Sequence, residues 1–296
     1  MKHLRIAQKW DSEADVVLYQ GDCRTLLASI KEPTFRLALT SPPYNLAKPY
    51  EKKQLAESDY RDIQAEVIRE CYRTLLPNGS ICWEVGNFVA NGEVVPLDVV
   101  LWPVFRDALG MKLRNRIVWS VPHGLHSKYR FSGRYEMVLW FTRGDDYYFD
   151  LDPVRVPVLW PKKKYFRGPN KGKLSSNPLG KNPEDVWTDL WPITNVKANH
   201  PEKTEHPSQF PEELVRRLVL SLTRPGDWVL DPFLGSGTVA SVCARYGRRV
   251  AGADVVGRYV EIAEDRVRAA ARDAWSARRG GTARPALLRT KLEREP

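Results

Sequence analysis

Four consecutive residues that could do chemistry, Ser41, Pro42, Pro43 and Tyr44, directly follow a short apolar run. Neither proline donates to a β-ladder and each fixes φ near about −65°, so residues 35–39 are predicted to form a buried strand that ends before them. The chain then leaves the sheet as a stiff, extended hook. There the Ser41 hydroxyl and the carbonyls of Ser41 and Pro42 can accept hydrogen bonds beside the Tyr44 ring. Such a hook suits a flat ring that carries an amino group, although a Pro-Pro turn that only closes a strand edge has the same sequence.

A glycine-rich turn favours the ligand-binding interpretation of the hook. It lies between a predicted strand, residues 228–230, and a predicted helix that stops at Gly247. Its residues are Asp231, Pro232, Phe233, Leu234, Gly235, Ser236, Gly237 and Thr238. Glycines have no Cβ and let the backbone approach a ligand closely. A phosphate-binding P-loop is the obvious competitor, but it requires a lysine after its last glycine, where this chain has Thr238.

Together, the hook and the turn resemble the DNA amino-methyltransferases, which use S-adenosylmethionine to methylate an exocyclic base nitrogen. The hook precedes the turn, which is the permuted order of the β class of this family. Other matching positions are Gly21-Asp22-Cys23, residues 206–211 and Gly252-Ala253-Asp254. The resemblance covers roughly residues 15–270, and the pairing of the two motifs is more specific than either motif alone.

The elements that must position these residues alternate along the chain. Apolar periodicity predicts further strands at residues 16–19, 80–83, 116–119 and 137–141, and helices at residues 24–30, 59–75, 96–109, 214–222 and 258–268. This alternation predicts an α/β protein with a mostly parallel sheet covered on both faces and antiparallel strands near Trp119 and Trp140. The resemblance further implies a Rossmann-like, S-adenosylmethionine-dependent methyltransferase fold that is circularly permuted and carries a DNA target-recognition insert.

Four segments are predicted on this basis. Residues 1–120 form the catalytic half with the hook, residues 121–200 the target-recognition insert, residues 201–271 the cofactor-binding half, and residues 272–296 a basic tail that we expect to be disordered. Within the insert, Asp185-Val186-Trp187 resembles a run found at the end of this insert in the family. We expect it to pack the insert onto the core.

The resemblance implies S-adenosylmethionine as the cofactor, bound at the carboxyl ends of the strands. The residues carried over are Asp22, Cys23, His206, Ser208, Asp231, Phe233, Gly235, Ser236, Gly237, Thr238 and Asp254. Asp254 lies 23 residues beyond Asp231, close to the spacing of about 20 residues at which mononucleotide folds place an acid on ribose hydroxyls. Alternatively, Asp22 caps the following helix, and His206 and Ser208 only begin another. Cys23 is expected to pack rather than to act as a nucleophile.

The chemistry that the resemblance implies needs no covalent intermediate. A base amino group is a poor nucleophile, and acceptors at Ser41 Oγ and the Pro42 carbonyl can localise its lone pair. The nucleotide must be flipped out of the duplex, and Tyr44 can stack on it. Ser41 stands where adenine-specific relatives most often carry Asp, so N4 of cytosine is favoured over N6 of adenine. A methyltransferase acting on RNA or protein and an inactive DNA-binding relative are weaker alternatives, and the missing Pro-Cys dipeptide argues against cytosine-C5 methylation.

The charge distribution predicts binding to a polyanion, and the family resemblance implies that this polyanion is double-stranded DNA. The chain carries a net charge of +10 and a pI near 9.4, which attract a polyanion. Cations interleave with aromatic residues in the insert, where they suit phosphates and guanine edges. The candidate DNA-binding residues are Lys128, Arg130, Arg134, Lys162, Lys163, Lys164, Arg167, Lys171 and Lys173. A solvated charge run is the alternative for the cluster around Lys162.

Cysteine usage and hydropathy predict a cytoplasmic protein. The four cysteines lack metal-binding or secreted-domain spacing, so reduced thiols and no metal are expected. No signal-peptide core is visible, and no apolar run approaches the roughly 20 residues that span a bilayer. The family context is a restriction-modification system, and a cognate restriction endonuclease and a homodimer stay open as partners.

Overall fold

A computed structural model describes residues 4–48, 51, 53–122, 124, 126–190 and 200–279. Eleven strands are present among them: β1 (Ile6–Ala7), β2 (Val16–Gln20), β3 (Phe35–Thr40), β4 (Leu75–Val85), β5 (Asn87–Ala90), β6 (Glu93–Pro96), β7 (Lys112–Ser120), β8 (Tyr135–Thr142), β9 (Val186–Trp187), β10 (Trp228–Asp231) and β11 (Arg249–Asp254). The α-helices are α1 (Cys23–Ser29), α2 (Glu57–Thr74), α3 (Leu97–Pro103), α4 (Glu212–Leu222), α5 (Thr238–Arg245) and α6 (Gly257–Arg279). A π-helical turn, Val104–Ala108, extends α3, and a 3-10 turn covers Asp152–Val154.

Nine strands form one sheet in the order β1-β2-β11-β10-β3-β4-β8-β7-β9. Strand β8 runs antiparallel to both of its neighbours, and the other pairs in this sheet are parallel. The predicted parallel-rich sheet and its antiparallel strands near Trp119 and Trp140 are therefore confirmed. Strands β5 and β6 form a separate hairpin that the sequence did not predict.

The two faces of the sheet carry separate hydrophobic cores. On one face, residues of α1, α2 and α3 such as Leu26, Ile68 and Leu101 pack on the strands. On the other face, Leu214 of α4 and Val239 of α5 pack with residues of α6. A helix on a sheet buries one apolar stripe, and the buried apolar residues of α4 form such a stripe: Leu214, Val215, Leu218, Val219 and Leu222.

The strand order creates a crevice between β3 and β10, which are parallel neighbours. The chain leaves β3 toward α2 on one face of the sheet and leaves β10 toward α5 on the other. Neighbouring parallel strands whose connections run to opposite faces leave an opening at their carboxyl ends, where α/β proteins bind ligands. The hook follows β3 and the glycine-rich turn follows β10, so both lie at this opening.

Two predicted boundaries need correction. Strand β8 lies inside residues 121–200, which were assigned to the insert, yet it pairs along its length with β4 and β7 of the main sheet. The irregular part of the insert is therefore divided around a core strand. Helix α6 continues to Arg279 and includes the start of the predicted disordered tail, because helical apolar spacing continues beyond residue 268. Residues 191–199 of the insert and 280–296 of the tail lie outside the described residues.

The run Asp185-Val186-Trp187 lies against the main sheet. Trp187 is buried, pairs with Trp119 across β7 and β9, and lies under the guanidinium of Arg217, so the predicted packing of this run onto the core is confirmed.

In the part of the chain that the structure describes, no helix combines the length and the apolar character needed to cross a membrane.

Candidate active site

One cavity of about 450 Å³ lies at the crevice between β3 and β10. Its wall contains all four hook residues, Ser41 to Tyr44, together with residues from the glycine-rich turn. The predicted cofactor residues that line it are Asp22, Cys23, His206, Ser208, Phe233, Gly235, Ser236, Thr238 and Asp254. Two predicted cofactor residues, Asp231 and Gly237, are not part of this wall. The volume lies within the range of about 300–1,000 Å³ typical of small-molecule sites.

Asp254, at the end of β11, is fixed by two backbone amides. Its Oδ2 accepts a hydrogen bond from the amide of Gly235 at 3.0 Å, and its Oδ1 accepts from that of Val256 at 2.8 Å. Burial raises the pKa of the Asp254 carboxyl, while the two amides oppose this rise. Each oxygen keeps a second lone-pair direction, so the carboxylate can still accept hydrogen bonds from a ligand's hydroxyl groups.

Gly235 brings the turn against His206. It has φ of +48°, which favours glycine, and a Cβ at this position would lie 3.0 Å from Nε2 of His206, so the imidazole would have to shift to admit it. The His206 ring packs edge-on against Tyr259 at 4.5 Å between ring centroids. Burial lowers the pKa of His206 to about 4, so the imidazole is neutral at physiological pH.

Asp22 and Cys23 reach the cavity from the start of α1. The Asp22 side chain accepts from the amide of Arg24 at 2.8 Å and pairs with its guanidinium, so the helix-capping alternative is present in the structure. Arg24 lowers the pKa of Asp22. Burial raises the pKa of the Cys23 thiol to about 12, which makes this thiol a poor nucleophile.

Helix α6 contacts the remaining residues of the glycine-rich turn. Arg266 of α6 donates to Ser236 and Thr238 at 3.0 Å each and pairs with Glu212. Gly237 has φ of +74°, and a Cβ there would overlap Ala263 of α6. Gly237 therefore serves the packing of α6 on the turn rather than a cavity surface.

Asp231 is 2% exposed and faces the neighbouring strand. Its Oδ1 accepts from the Thr40 hydroxyl at 2.7 Å and from the amide of Phe233 at 3.3 Å. Burial raises the pKa of Asp231 to about 7. The structure thus places this carboxyl between the hook strand and the turn, and a contact between Asp231 and the cofactor stays a prediction.

The hook ends in a hydrogen-bonded chain of side chains that the sequence analysis missed in part. Ser41 Oγ lies 3.2 Å from the Tyr44 hydroxyl, which donates to Glu84 of β4 and lies 3.4 Å from Oε2 of Glu136 of β8. Both glutamates line the cavity. Burial and the nearby carboxyl of Glu84 raise the pKa of Glu136 well above its ordinary value.

The sequence around Glu84 and Glu136 indicates that both glutamates have a role. Each stands inside or beside an otherwise apolar strand, in Cys82-Trp83-Glu84-Val85 and in Glu136-Met137-Val138. An acid is rarely buried unless a partner or a function retains it. Their convergence could not be foreseen, because it depends on the register of β4 against β8.

The candidate DNA-binding cations lie apart from the cavity wall. Six of them are exposed on an antiparallel ribbon in which residues 163–165 face residues 172–175. They are Lys162, Lys163, Lys164, Arg167, Lys171 and Lys173. No salt bridge links any of the six to another described residue. Phe166 and Trp160 beside them are 88% and 73% exposed, which is unusual for aromatic side chains unless they meet a partner.

The other three predicted cations lie in the loop between β7 and β8. Lys128 and Arg130 are exposed. Arg134 instead donates to the carbonyls of Gly133 and Gly124 at 2.8 and 3.3 Å. Arg134 therefore organises its own loop in this structure.

The arrangement can bind two flat or polar ligands against each other. Asp254 and His206 each lie against Gly235 in the cavity wall, and Ser41 and Tyr44 lie together in the same wall. A group bound beside the first set and a ring bound beside the second would share one cavity, as direct group transfer requires.

Comparison with known proteins connects this geometry to characterised families. Residues 35–265 match the family described as DNA methylase. Type II methyltransferase M.BglII of Bacillus subtilis is 47% identical over 247 residues, 83% of this chain and 67% of that protein. Among solved structures, PvuII DNA methyltransferase (cytosine-N4-specific) shares 23% identity, covers 88% of this chain and 92% of its own, and has a TM-score of 0.66. TTHA0409 of Thermus thermophilus, complexed with S-adenosyl-L-methionine, shares 28% identity, 86% and 95% coverage, and a TM-score of 0.58.

Proposed function

Because the chain belongs to the N6/N4 family of DNA methylases, we propose that it transfers a methyl group to the exocyclic N4 of cytosine in duplex DNA. It is a DNA methyltransferase, and its methyl donor is S-adenosyl-L-methionine. The finer assignment, cytosine N4, rests on the hook and on the chemistry of its first residue. Methylation at N6 of adenine is the alternative.

One observation carries the proposal: the hook and the glycine-rich turn line the same cavity. A methyl donor held by the turn and a base held by the hook would therefore meet inside one enclosed space. This arrangement follows from the pairing of β3 with β10, and neither motif could provide it alone.

The residues at the turn fit S-adenosylmethionine. Asp254 presents a carboxylate, fixed by two amides, that suits the two ribose hydroxyls. Gly235 leaves room beside His206, and the neutral imidazole of His206 avoids repulsion of the sulfonium. When bound, the cofactor supplies an electrophilic methyl group.

The hook residues would prepare the target nitrogen. Ser41 Oγ and the Pro42 carbonyl accept the two amino hydrogens, which localises the nitrogen lone pair toward the methyl group. The amino group lies inside the duplex, so the nucleotide must be flipped into the cavity. The Tyr44 ring lines the wall there and can stack on the extruded base.

Cytosine is favoured because the hook begins with a neutral side chain. Ser41 offers one hydroxyl where a carboxylate would bring a formal charge, and the family associates this serine with N4 of cytosine. The same two acceptors could serve adenine, so the choice between the bases depends on the hook's first residue and on the shape of the cavity.

DNA would dock against the irregular parts of the insert. The ribbon presents six exposed cations with exposed Phe166 and Trp160, a combination that suits phosphates and unstacked bases. In this proposal Lys128 and Arg130 extend the same surface. The family also suggests that the protein protects DNA within a restriction-modification system and has a cognate endonuclease.

Nucleoside analysis tests the proposal. DNA methylated by the purified protein is digested to nucleosides and separated by mass spectrometry, with heat-inactivated protein as the control. N4-methyldeoxycytidine is expected. N6-methyldeoxyadenosine in its place would establish the alternative, and the absence of both would reject the function.

A further inference from the structure

A buried carboxyl group, that of Glu84, and a half-buried one, that of Glu136, lie directly behind the hook. Glu84 of β4 is 1% exposed, and Glu136 of β8 meets it across the strand pair. The Tyr44 hydroxyl donates to Glu84 and lies 3.4 Å from Glu136. No salt bridge neutralises either carboxyl among the described residues, and a buried charge without a cation is costly enough to call for a role.

The hydrogen-bonding capacity of the two carboxyl groups is best satisfied when they hold one proton between them. Adjacent like charges cannot both ionise cheaply in a buried site. Burial and Glu84 raise the pKa of Glu136 well above its ordinary value of 4.5. Glu84 Oε1 is buried without a hydrogen-bond donor among the described residues, and a proton on Glu136 would supply one. A single proton shared by the two carboxyl groups would thus satisfy both of them.

The hydrogen bonds around Tyr44 have a defined direction. Because the single hydroxyl proton of Tyr44 is donated to Glu84, Ser41 must be the donor in its 3.2 Å contact with Tyr44. The lone pairs of Ser41 Oγ then face the cavity as acceptors. The chain of hydrogen bonds thus runs from the cavity through Ser41 and Tyr44 to Glu84. Each hydroxyl proton in it points away from the target amino group.

Methyl transfer to an amino group leaves a cationic nitrogen that must lose a proton. A serine hydroxyl has no capacity to keep this proton, whereas a carboxylate does. In the hook of this chain no carboxylate is present, and the Glu84 carboxylate lies one hydroxyl beyond Ser41.

We propose that Glu84, paired with Glu136, accepts the proton released by the target amino group through the hydroxyls of Tyr44 and Ser41. The proposal rests on the proposed function, because it assigns the proton path of the same reaction. Glu84 is thus a proton acceptor that acts through the hook.

The step balances in atoms and charge. A bond forms between the amino nitrogen and the methyl carbon as the carbon–sulfur bond breaks, and the bonding pair remains on sulfur as a thioether. The nitrogen releases H⁺ to Ser41 Oγ, the Ser41 proton moves to Tyr44, and the Tyr44 proton moves to Glu84. Both carboxyls are then neutral, and one proton returns to solvent after product release.

Other titratable groups line the same cavity but do not contact the pair. They are Asp22, Cys23, Arg24, Lys48, His206, Asp254 and Tyr259. Asp22 pairs with Arg24, and Asp254 is bound by amides. Tyr44, Glu84 and Glu136 are therefore the side chains, beyond Ser41, that form the proton path.

The decisive variant is Glu84→Gln, which keeps an acceptor for Tyr44 but cannot take a proton. The single-turnover rate of methyl transfer should fall about 100-fold or more, the size typical of general base catalysis. Affinities for S-adenosylmethionine and for duplex DNA should stay within threefold of wild type. A rate within threefold of wild type, or losses of affinity that account for the lower rate, would overturn the proposal.

Glu136→Gln provides the matched comparison, since it keeps Glu84 charged and offers it an N–H donor. The rate should fall by about tenfold or less, and its pH dependence should lose the contribution of Glu136, whose pKa is raised. If Glu84→Gln does not fold, Tyr44→Phe interrupts the path while keeping the ring, and it should show the same large loss of rate. A wild-type rate in Tyr44→Phe would exclude the path.

The shared proton can be measured without catalysis. Infrared difference spectra at pH 7.5 should show a protonated carboxyl in wild type that is missing from Glu136→Gln. Identical spectra would overturn the shared proton. Absence of methyl transfer by the wild type would instead reject the proposed function, and the infrared result would still decide whether the pair holds a proton.

Discussion

Thr40 donates a hydrogen bond of 2.7 Å to the carboxyl of Asp231, and this bond joins the strand that carries the hook to the strand that carries the glycine-rich turn. Both residues are buried. Thr40 immediately precedes the hook and Asp231 is the first residue of the turn, so the bond fixes the position of one half of the site relative to the other.

Thr40→Val should loosen this connection with little change in side-chain volume. The substitution removes the hydroxyl and leaves the buried Asp231 with the amide of Phe233 as its remaining donor in the described structure. We expect a loss of about 1.5–3 kcal/mol in the free energy of unfolding at pH 8, where Asp231 is ionised. Urea unfolding measures it, and a Thr40→Ser variant, which keeps the hydroxyl, should lose clearly less.

Asp231 should also make stability depend on pH. Its pKa is raised from 3.8 to about 7 in the folded protein, so the folded state retains a proton that the unfolded chain has lost. The contribution of Asp231 to stability must therefore fall as pH rises from about 4 to about 7 and then stay level. Asp231→Asn lacks this titration.

Urea unfolding of wild type and Asp231→Asn between pH 4.5 and 8 tests this dependence. The stability of the variant relative to wild type should improve with pH by a few kcal/mol, since each pKa unit is worth about 1.4 kcal/mol. A difference that does not change with pH would show that Asp231 has an ordinary pKa.

Much of the fold was accessible from the sequence because it depends on local patterns. The hook strand, α4 with its single apolar face, and the turn before α5 were predicted near their observed bounds. The Rossmann-like methyltransferase fold is confirmed by the strand order and by the structural relatives. Periodic apolar patterns of this kind specify a helix or a strand without reference to contacts with distant segments.

The parts that were missed depend on contacts between distant segments. Strand β8 was predicted as a strand, but the segment boundary placed it in the insert because its neighbours in sequence are irregular, whereas its neighbours in space are β4 and β7. The hydrogen bond from Thr40 of β3 to Asp231 could not be predicted either, and the contact of Asp231 with the cofactor stays a prediction. Glu84 and Glu136 acquire a joint meaning only when the register of their strands is known.

Gly235→Ala should weaken cofactor binding through a steric effect. The left-handed backbone at φ +48° and the 3.0 Å approach of a Cβ to His206 Nε2 would both displace the turn whose amide holds Asp254. We expect at least a tenfold loss of S-adenosylmethionine affinity by calorimetry. Gly226→Ala is the matched control, since Gly226 has φ of +89° but meets nothing within 4 Å.

Both glycine variants should lose about 1–2 kcal/mol of stability from backbone strain. Cofactor affinity in Gly226→Ala should stay within twofold of wild type. Equal affinities in the two variants would show that the turn does not contact the cofactor.

Replacing Lys162, Lys163 and Lys164 together by Ala should weaken DNA binding across all sequences. If all three contact phosphates, the slope of log K against log salt becomes shallower by up to about 3 units. Fluorescence anisotropy at several salt concentrations measures the slope. Cofactor affinity should not change, because these residues lie outside the cavity wall.

The control removes three exposed cations from other surfaces, Lys9, Lys31 and Arg69. It changes the net charge by the same amount, so a similar fall in slope for both variants would indicate a general charge effect. An unchanged slope in the Lys162 variant would mean that the cluster is a solvated charge run.

Ser41→Ala should abolish most of the methyl transfer while leaving both ligands bound. The variant removes the acceptor that we assign to the target amino group and the first hydroxyl of the chain to Tyr44, and loss of one preorganised hydrogen-bonding group typically lowers a rate about 100- to 1,000-fold. Ser41→Asp provides a comparison, because its carboxylate can accept the same N–H and retain the proton directly. It should be faster than Ser41→Ala in single-turnover assays with labelled S-adenosylmethionine, and a Ser41→Ala rate within threefold of wild type would remove the hook from the reaction.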